Sequence, residues 1–199
     1  MDGIFDNNTT DATNGAGLSD SEKDIIKNIQ KGNPKGFKTL MRKYFRELAN
    51  LAFHYVKSSQ TAKDVVQDVF ANIWENRDSW QPNQSIKMYL YQSVKNEALK
   101  NIRDRKTESK YIKAYNDERE SWKVFPQVNN EEGSQFKQAV NRAIEELPDR
   151  ARMAYKLHRR DGLTYKEIAS VMEISHKTVE SQISRALKIL RNKLSSSDI

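Results

Sequence analysis

The stretch TYKEIASVMEISHKTVESQISRALKILRNKL, Thr164 to Leu194, admits few folds. Thr164 followed by Glu167 is a capping box, which predicts a helix starting there. Ile168, Ala169 and Met172 form its apolar stripe, with Ala169 small enough for a close crossing. Glu173-Ile174 reads as a turn, and Ser175 as the cap of a second helix. Val179, Ile183, Ala186, Leu187, Leu190 and Leu194 then recur at helical spacing and are expected to face a core. The other face carries Lys177, Thr178, Glu180, Ser181, Ser184, Arg185 and Lys188, side chains able to reach base edges and phosphates. This is the pattern of a helix-turn-helix. The plainer reading is an amphipathic hairpin with solvated charges. The order of cap, small residue, turn, second cap and β-branched anchor favours the specific one. Many such turns place Gly where Glu173 stands; at positive φ a non-Gly residue there costs roughly 1 kcal/mol.

Composition agrees with a helical protein that meets a polyanion. The 199 residues are 37% hydrophobic and 31% charged, with net charge +7, which suits small helical units with thin cores. The charge is uneven. Residues 1–33 hold three Lys against six Asp and Glu, whereas residues 148–193 hold eleven Lys and Arg against five acids. Residues 81–106 hold six basic residues against two acidic ones. Two separated basic segments suggest two contacts on one long polymer. Without cysteine there is no disulfide framework and no thiolate chemistry. The polar, acidic N-terminus is unlike a signal peptide, and no apolar run approaches a membrane span, so a cytoplasmic location is expected.

Punctuation along the chain predicts two all-helical domains on a flexible linker. Residues 1–18 read as a disordered tail. Residues 19–105 hold four helices: one capped by Ser19 and Glu22 and ending near Gly32; one capped by Asn33 with Pro34 in its first turn; one from about Thr61 to Arg77; one from Ser85 to near Arg105. The loop Asp78 to Gln84 separates the last two. Residues 106–133 lose periodicity and read as a linker, with a possible helical turn around Tyr111 to Tyr115. Helices resume over 134–195, from Ser134 to Glu146 and from Pro148 to Arg160, and then enter the helix-turn-helix.

Three segments carry a family resemblance. They are Asp64-Val65-Val66-Gln67-Asp68-Val69-Phe70 with Trp74, Tyr89-Leu90-Tyr91 through Asn96, and Leu147-Pro148-Asp149-Arg150 with the helix-turn-helix. In that order and spacing the chain resembles bacterial RNA polymerase sigma factors of the short extracytoplasmic-function (ECF) group of the sigma-70 family. The resemblance implies a region 2 helical bundle and a region 4 helix-turn-helix. It implies core RNA polymerase (the largest subunit's clamp helices and the β flap) and promoter DNA as partners, commonly with an anti-sigma factor. No cofactor, metal or catalytic residue is implied. Asp64, Gln67 and Asp68 would meet polymerase; the plainer reading is a solvated helix face. The loop and the helix after it would take the −10 element, through Trp80, Asn83, Gln84, Lys87, Tyr89, Lys95 and Asn96. Aromatic stacking on an extruded base contributes about 1–3 kcal/mol, comparable with the cost of unstacking it. Trp80 and Tyr89 could equally be core aromatics. Lys177, Thr178, Glu180, Ser181, Ser184, Arg185 and Lys188 would face the −35 duplex, with Glu180 a departure from the basic residue many relatives carry.

Two other readings compete. A transcriptional regulator with a helix-turn-helix output and an unfamiliar helical sensor would account for the C-terminal segment. It leaves Asp64 to Trp74 without a purpose. An enzyme is disfavoured because His54, His158 and His176 are scattered, without metal spacing, nucleophile motif or Gly-rich phosphate loop.

Overall fold

The structure, a computed structural model, describes residues 18–109 and 135–195, with residues 106–109 and 135–137 as backbone alone. Among the described residues there are eight α-helices, one 3-10 turn and no strand. The tail expected over 1–18, apart from Leu18, lies outside them. So does the linker expected over 106–133, apart from its first four residues, together with the turn at Tyr111 to Tyr115.

Capping decides where the first four helices begin. Helix α1 (Asp20–Gln30) opens with a reciprocal box in which Glu22 N–H donates to Ser19 Oγ (3.3 Å) and Ser19 N–H donates to Glu22 Oε2 (3.0 Å). The other oxygen of Glu22 accepts from Ile86 N–H at 2.8 Å, so one carboxylate caps both α1 and the start of α4. Partial burial pushes the Glu22 carboxyl up, but the N–H groups of Ser19 and Ile86 outweigh it and hold it below its usual value. Helix α2 (Pro34–Val56) starts under Asn33 Oδ1, which accepts from Lys35 and Gly36 N–H at 3.0 and 3.3 Å. Helix α3 (Ser59–Glu75) starts two residues before the expected Thr61 because Ser58 caps it. It stops short of Arg77 because Arg77–Ser79 tightens into the 3-10 turn. Helix α4 (Ile86–Ser109) continues past the expected end near Arg105.

The second group holds α5 (Gln135–Glu145), α6 (Asp149–Arg159), α7 (Tyr165–Met172) and α8 (His176–Ser195). The predicted capping box of α7 is present, and Ser175 Oγ accepts from Thr178 N–H at 3.1 Å to cap α8. The stripe of α8 needs one correction. Val179, Ile183, Ala186 and Leu190 are buried, but Leu187 is exposed, because a helix turns about 100° per residue and Ala186 already holds the inward position. In α7, Val171 is fully buried although it stands off the predicted stripe.

Helices α2, α3 and α4 pack mutually, with Leu48, Val66, Phe70, Ile73, Leu90 and Val94 at the centre. The rings of Phe37 and Phe70 meet edge-on at 5.9 Å along one border. A small core of Ala143, Leu147, Ala151, Ala186 and Leu190 joins α5, α6 and α8. The two groups are not separate beads. The large core continues from Leu48 and Leu90 into Met153, Leu157, Ile168 and Val171, and α4 packs on α7.

The placement of the two leucines gives a stability prediction. Leu190→Ala is expected to destabilise by about 2–4 kcal/mol through a cavity in the small core, whereas Leu187→Ala stays within about 0.5 kcal/mol. Urea unfolding followed by circular dichroism measures both; equal losses would place Leu187 inside after all.

Candidate polymerase and nucleic-acid interfaces

Helix α3 divides cleanly by face. Val65, Val66, Val69, Phe70 and Ile73 are buried, and Asp64, Gln67 and Asp68 are exposed on the opposite side. Asp64 accepts from Gln60 Nε2 at 2.9 Å, and Asp68 is open to solvent. Trp74 is half-buried, its ring 4.9 Å from Phe37 and 5.1 Å from the Arg77 guanidinium. An acidic, amide-bearing strip backed by β-branched residues repels phosphate and suits a basic protein surface.

Helix α8 presents Lys177, Glu180, Ser181, Ser184, Arg185 and Lys188 together on its exposed side. Thr178 is half-buried, its hydroxyl 2.8 Å from Ser175 Oγ. The basic and hydroxyl groups near the N-terminal end meet the positive end of the helix dipole. The turn before α8 places Glu173 at φ +52°, the left-handed region that favours Gly.

The loop and α4 behave differently. Asn83 and Asn96 are exposed. Gln84 Nε2 donates to Gln92 Oε1 at 2.5 Å, and Tyr89 is half-buried with its ring edge-on to Trp80 at 5.9 Å. Two residues expected at DNA are buried here. Trp80 is a core residue, 5% exposed, whose carbonyl accepts from Gln30 Nε2 at 3.1 Å and whose ring packs against Tyr89. Lys95 is likewise 5% exposed, and its ammonium pairs with Glu173 at 2.5 Å. Lys87 donates to the backbone carbonyl of Asp161, beyond the end of α6. In this arrangement Lys95 is buried, while Lys87 keeps partial exposure.

Spacing along α4 explains this division. Ile86, Leu90, Val94 and Ala98 recur every four residues and are buried in the large core. Lys87, Tyr91 and Lys95 recur at the same interval one position on, and form a second stripe. Gln92 extends it, donating to Ser170 Oγ at 2.8 Å. The Tyr91 hydroxyl donates to Glu47 Oε2 at 3.3 Å. Burial and the nearby Asp161 and Glu47 carboxylates push this phenol well above its usual range, so it stays protonated. Burial, then the charge of Asp161, also raises the Glu47 carboxyl. Glu47, Gln92, Asp161 and Ser170 carry no sequence signal for this cluster, because nothing local tells α4 which helix it will meet.

His54 lies in a small cleft between α2 and α6 with Arg152, Lys156 and Asp161. Burial, followed by the charge of Lys57, lowers its pKa from 6.5 to about 4. Among the described residues there is no group of three or more His, Cys, Asp or Glu placed to hold a metal ion, and no helix long and apolar enough to cross a membrane.

Two helical modules, one with an exposed helix-turn-helix face and one with an acidic strip on α3, define a helix-turn-helix DNA-binding protein. Comparison with known proteins identifies which. The family model "Sigma-70 region 2" matches residues 40–108 and "Sigma-70, region 4" matches residues 137–190. The ECF RNA polymerase sigma-E factor of Escherichia coli (strain K12) is 33% identical over 177 residues, covering 85% of this chain and 92% of that protein. The RNA polymerase sigma-H factor of Pseudomonas aeruginosa is 25% identical over 174 residues, covering 84% and 90%. RpoE of Bartonella quintana, solved with the anti-sigma factor NepR, aligns with TM-score 0.58 at 24% identity, covering 82% of this chain and 99% of that one. CnrH, solved with the cytosolic domain of CnrY, aligns with TM-score 0.54 at 21% identity, covering 90% and 100%. The chain belongs to the ECF sigma factors of the sigma-70 family. It is a sigma factor that directs promoter-specific transcription initiation by RNA polymerase, and the reading as a stand-alone regulator is not favoured.

The half-buried His54 gives a signed pH dependence. Its folded pKa is depressed, so the unfolded chain takes up the proton first as pH falls. The contribution is present above about pH 6.5 and is lost as pH falls toward 4. The midpoint of thermal unfolding is expected to drop between pH 7.5 and 5, and to drop less in His54→Gln. Equal slopes in the two proteins would place the histidine in solvent.

Proposed function

We propose how the work of initiation is divided over this chain. Residues 19–105 grip core polymerase through Asp64, Gln67 and Asp68, and receive the −10 element on Asn83, Gln84, Tyr89 and Asn96. Lys87 and Lys95 neutralise phosphate beside the melted strand once they are released from the second module. Trp80 acts as the floor beneath Tyr89. Residues 134–195 dock α8 in the −35 major groove, with Lys177, Thr178, Ser181, Ser184, Arg185 and Lys188 on phosphates and base edges. Glu180 accepts from cytosine N4 and shifts sequence preference. Residues 106–133 tether the two modules. Chemistry is left to the polymerase, so the chain has no catalytic residue of its own, and it works in the cytoplasm. An anti-sigma factor is the expected negative partner, since the RpoE structure that this fold resembles was solved with one.

The observation that carries this reading is the separation of three surfaces on differently packed elements: the acidic strip of α3, the exposed Asn83 and Asn96, and the polar face of α8. Run-off transcription with this protein and its own core polymerase tests the whole. Initiation at a discrete start is expected, and its absence would overturn the assignment. Gln67→Ala with Asp68→Lys is expected to lower retention of core polymerase in a pulldown at least tenfold; unchanged retention removes the α3 assignment. Separately, a fluorescent base in a promoter bubble is expected to lose its signal with Asn83→Ala and Asn96→Ala together, and a full signal would mean that these two amides do not hold the base.

A further inference from the structure

Residues 25–46, the second half of α1, the turn after it and the first half of α2, hold seven Lys and Arg and no Asp or Glu. The whole chain nets +7, so the other residues balance and the excess resides in this hairpin. Lys27 and Lys31 stand one turn apart on α1. Lys35, Lys38, Arg42 and Arg46 follow at intervals of three or four along α2, with Lys43 beside them, so they share one face. All seven are exposed. Among the described residues the side chains of Lys31, Lys35, Lys38, Arg42 and Arg46 make no hydrogen bond or ion pair. Lys43 and Lys27 reach Glu22 and Asp20 only through space.

The hairpin is fastened along the loop that joins α3 to α4. Helix α1 packs on the turn Arg77–Ser79, Gln30 Nε2 donates to the Trp80 carbonyl at 3.1 Å, and Glu22 accepts from Ile86 N–H at 2.8 Å. The basic surface is therefore continuous with the loop that holds Asn83 and Gln84. It offers charge without means of reading a base. Besides its five cations, the exposed positions of α2 from Pro34 to Arg46 are only Pro34 and Thr39, and the Thr39 hydroxyl donates to the Lys35 carbonyl at 3.0 Å. The half-buried Phe37 is turned to Phe70 and Trp74. Cations repeated about 5–6 Å apart along a helix match a linear polyanion better than a compact one. Seven like charges held together also repel one another, and a polyanion relieves that repulsion. An acidic protein would complement the charge, but continuity with the loop favours a nucleic-acid strand.

We propose that the basic face of the α1–α2 hairpin is a phosphate track for the melted promoter strand where it continues past the −10 loop toward the start of transcription. The proposal rests on the −10 reading of Asn83, Gln84 and Asn96 for where the strand enters; the charge of the face and its continuity with the loop do not. On that reading the DNA upstream of the −10 element is duplex and runs to α8, so the single strand leaves the loop on the downstream side. Contacts to phosphate alone position a strand without reading its sequence. The track therefore steadies the bubble on any sequence and weakens steeply with salt.

The test uses holoenzyme on a bubble template built on a promoter that it initiates from. Lys38→Gln, Arg42→Gln and Arg46→Gln together change exposed positions to a residue of similar helix propensity, so helix content by circular dichroism is expected to be unchanged. The slope of log affinity against log salt is expected to become shallower by about 2, since each single-strand phosphate contact contributes about 0.7. The same loss is expected when the downstream sequence is scrambled, and none on a template whose strand is cut at the downstream edge of the −10 element. Lys31→Gln with Lys35→Gln, at the other end of the face, is an independent variant expected to lose about 1 in slope. An unchanged slope on the long strand in both variants would overturn the track. So would an equal loss on the cut template, which assigns the cations to duplex DNA, or a fall in retention of core polymerase, which assigns them to protein. Capture of the free parent chain but not the triple variant by phosphatidylglycerol vesicles, with the slope unchanged, would assign the face to a membrane surface instead. Asn83→Ala with Asn96→Ala separates the two readings: if that pair leaves the fluorescent-base signal intact while the triple variant still loses its slope, the track stands and the −10 pocket falls.

Discussion

Helix α4 has to satisfy two surfaces at once, and the rest of the molecule is arranged around that requirement. Its Ile86, Leu90, Val94 and Ala98 stripe completes the core made with α2 and α3. One position along, Tyr91 and Lys95 are buried and Lys87 is half-buried against the second module. A helix that is apolar on one side and polar on the other ordinarily leaves its polar side wet. Here part of the polar side is covered too, and the buried charge on it therefore needs a partner. Glu173 supplies one, the carbonyl of Asp161 another, and Glu47 takes the Tyr91 proton donor. The start of α4 is fixed independently by Glu22, whose carboxylate ties it to α1.

The boundary between the two modules has an apolar centre, through Met153, Leu157, Ile168 and Val171, and polar contacts beside it. Contacts made of ammonium, carboxylate and amide groups can be exchanged one for one with phosphate and water. The cluster around Asp161 adds tension, because its carboxylate is buried, with Oδ1 paired to Arg160 at 2.9 Å and Oδ2 left without a partner in the structure, and it raises the Glu47 carboxyl nearby. Buried polar networks that are only partly satisfied contribute little net stability.

Charge is partitioned in keeping with the sigma-factor role. The exposed face of α3 is acidic, while the exposed face of α8 is basic apart from Glu180. An acidic strip repels a polyanion and a basic helix face attracts one, so the two surfaces are opposite in sign.

The helix starts were legible in the sequence because they depend on neighbours within three or four residues. Ser19 with Glu22, Asn33 with Pro34, Thr164 with Glu167, and Ser175 all act where the local pattern places them. The exposed faces of α3 and α8 followed from helical period alone. Misplacements came where a partner outside the helix decides. Leu187 points to solvent because Ala186 fills the inward position against α5 and α6, and Val171 is buried by packing that its own helix does not announce. Trp80 and Lys95 have residue types suited to DNA, yet tertiary packing puts the first in the core and the second against a carboxylate 78 residues away. The sequence by itself determined two helical modules, their caps and their outward chemistry, since those rest on short-range hydrogen bonds and periodicity. Only the tertiary structure decided which cations are free, because desolvation depends on what is packed above a side chain and not on what precedes it in the chain.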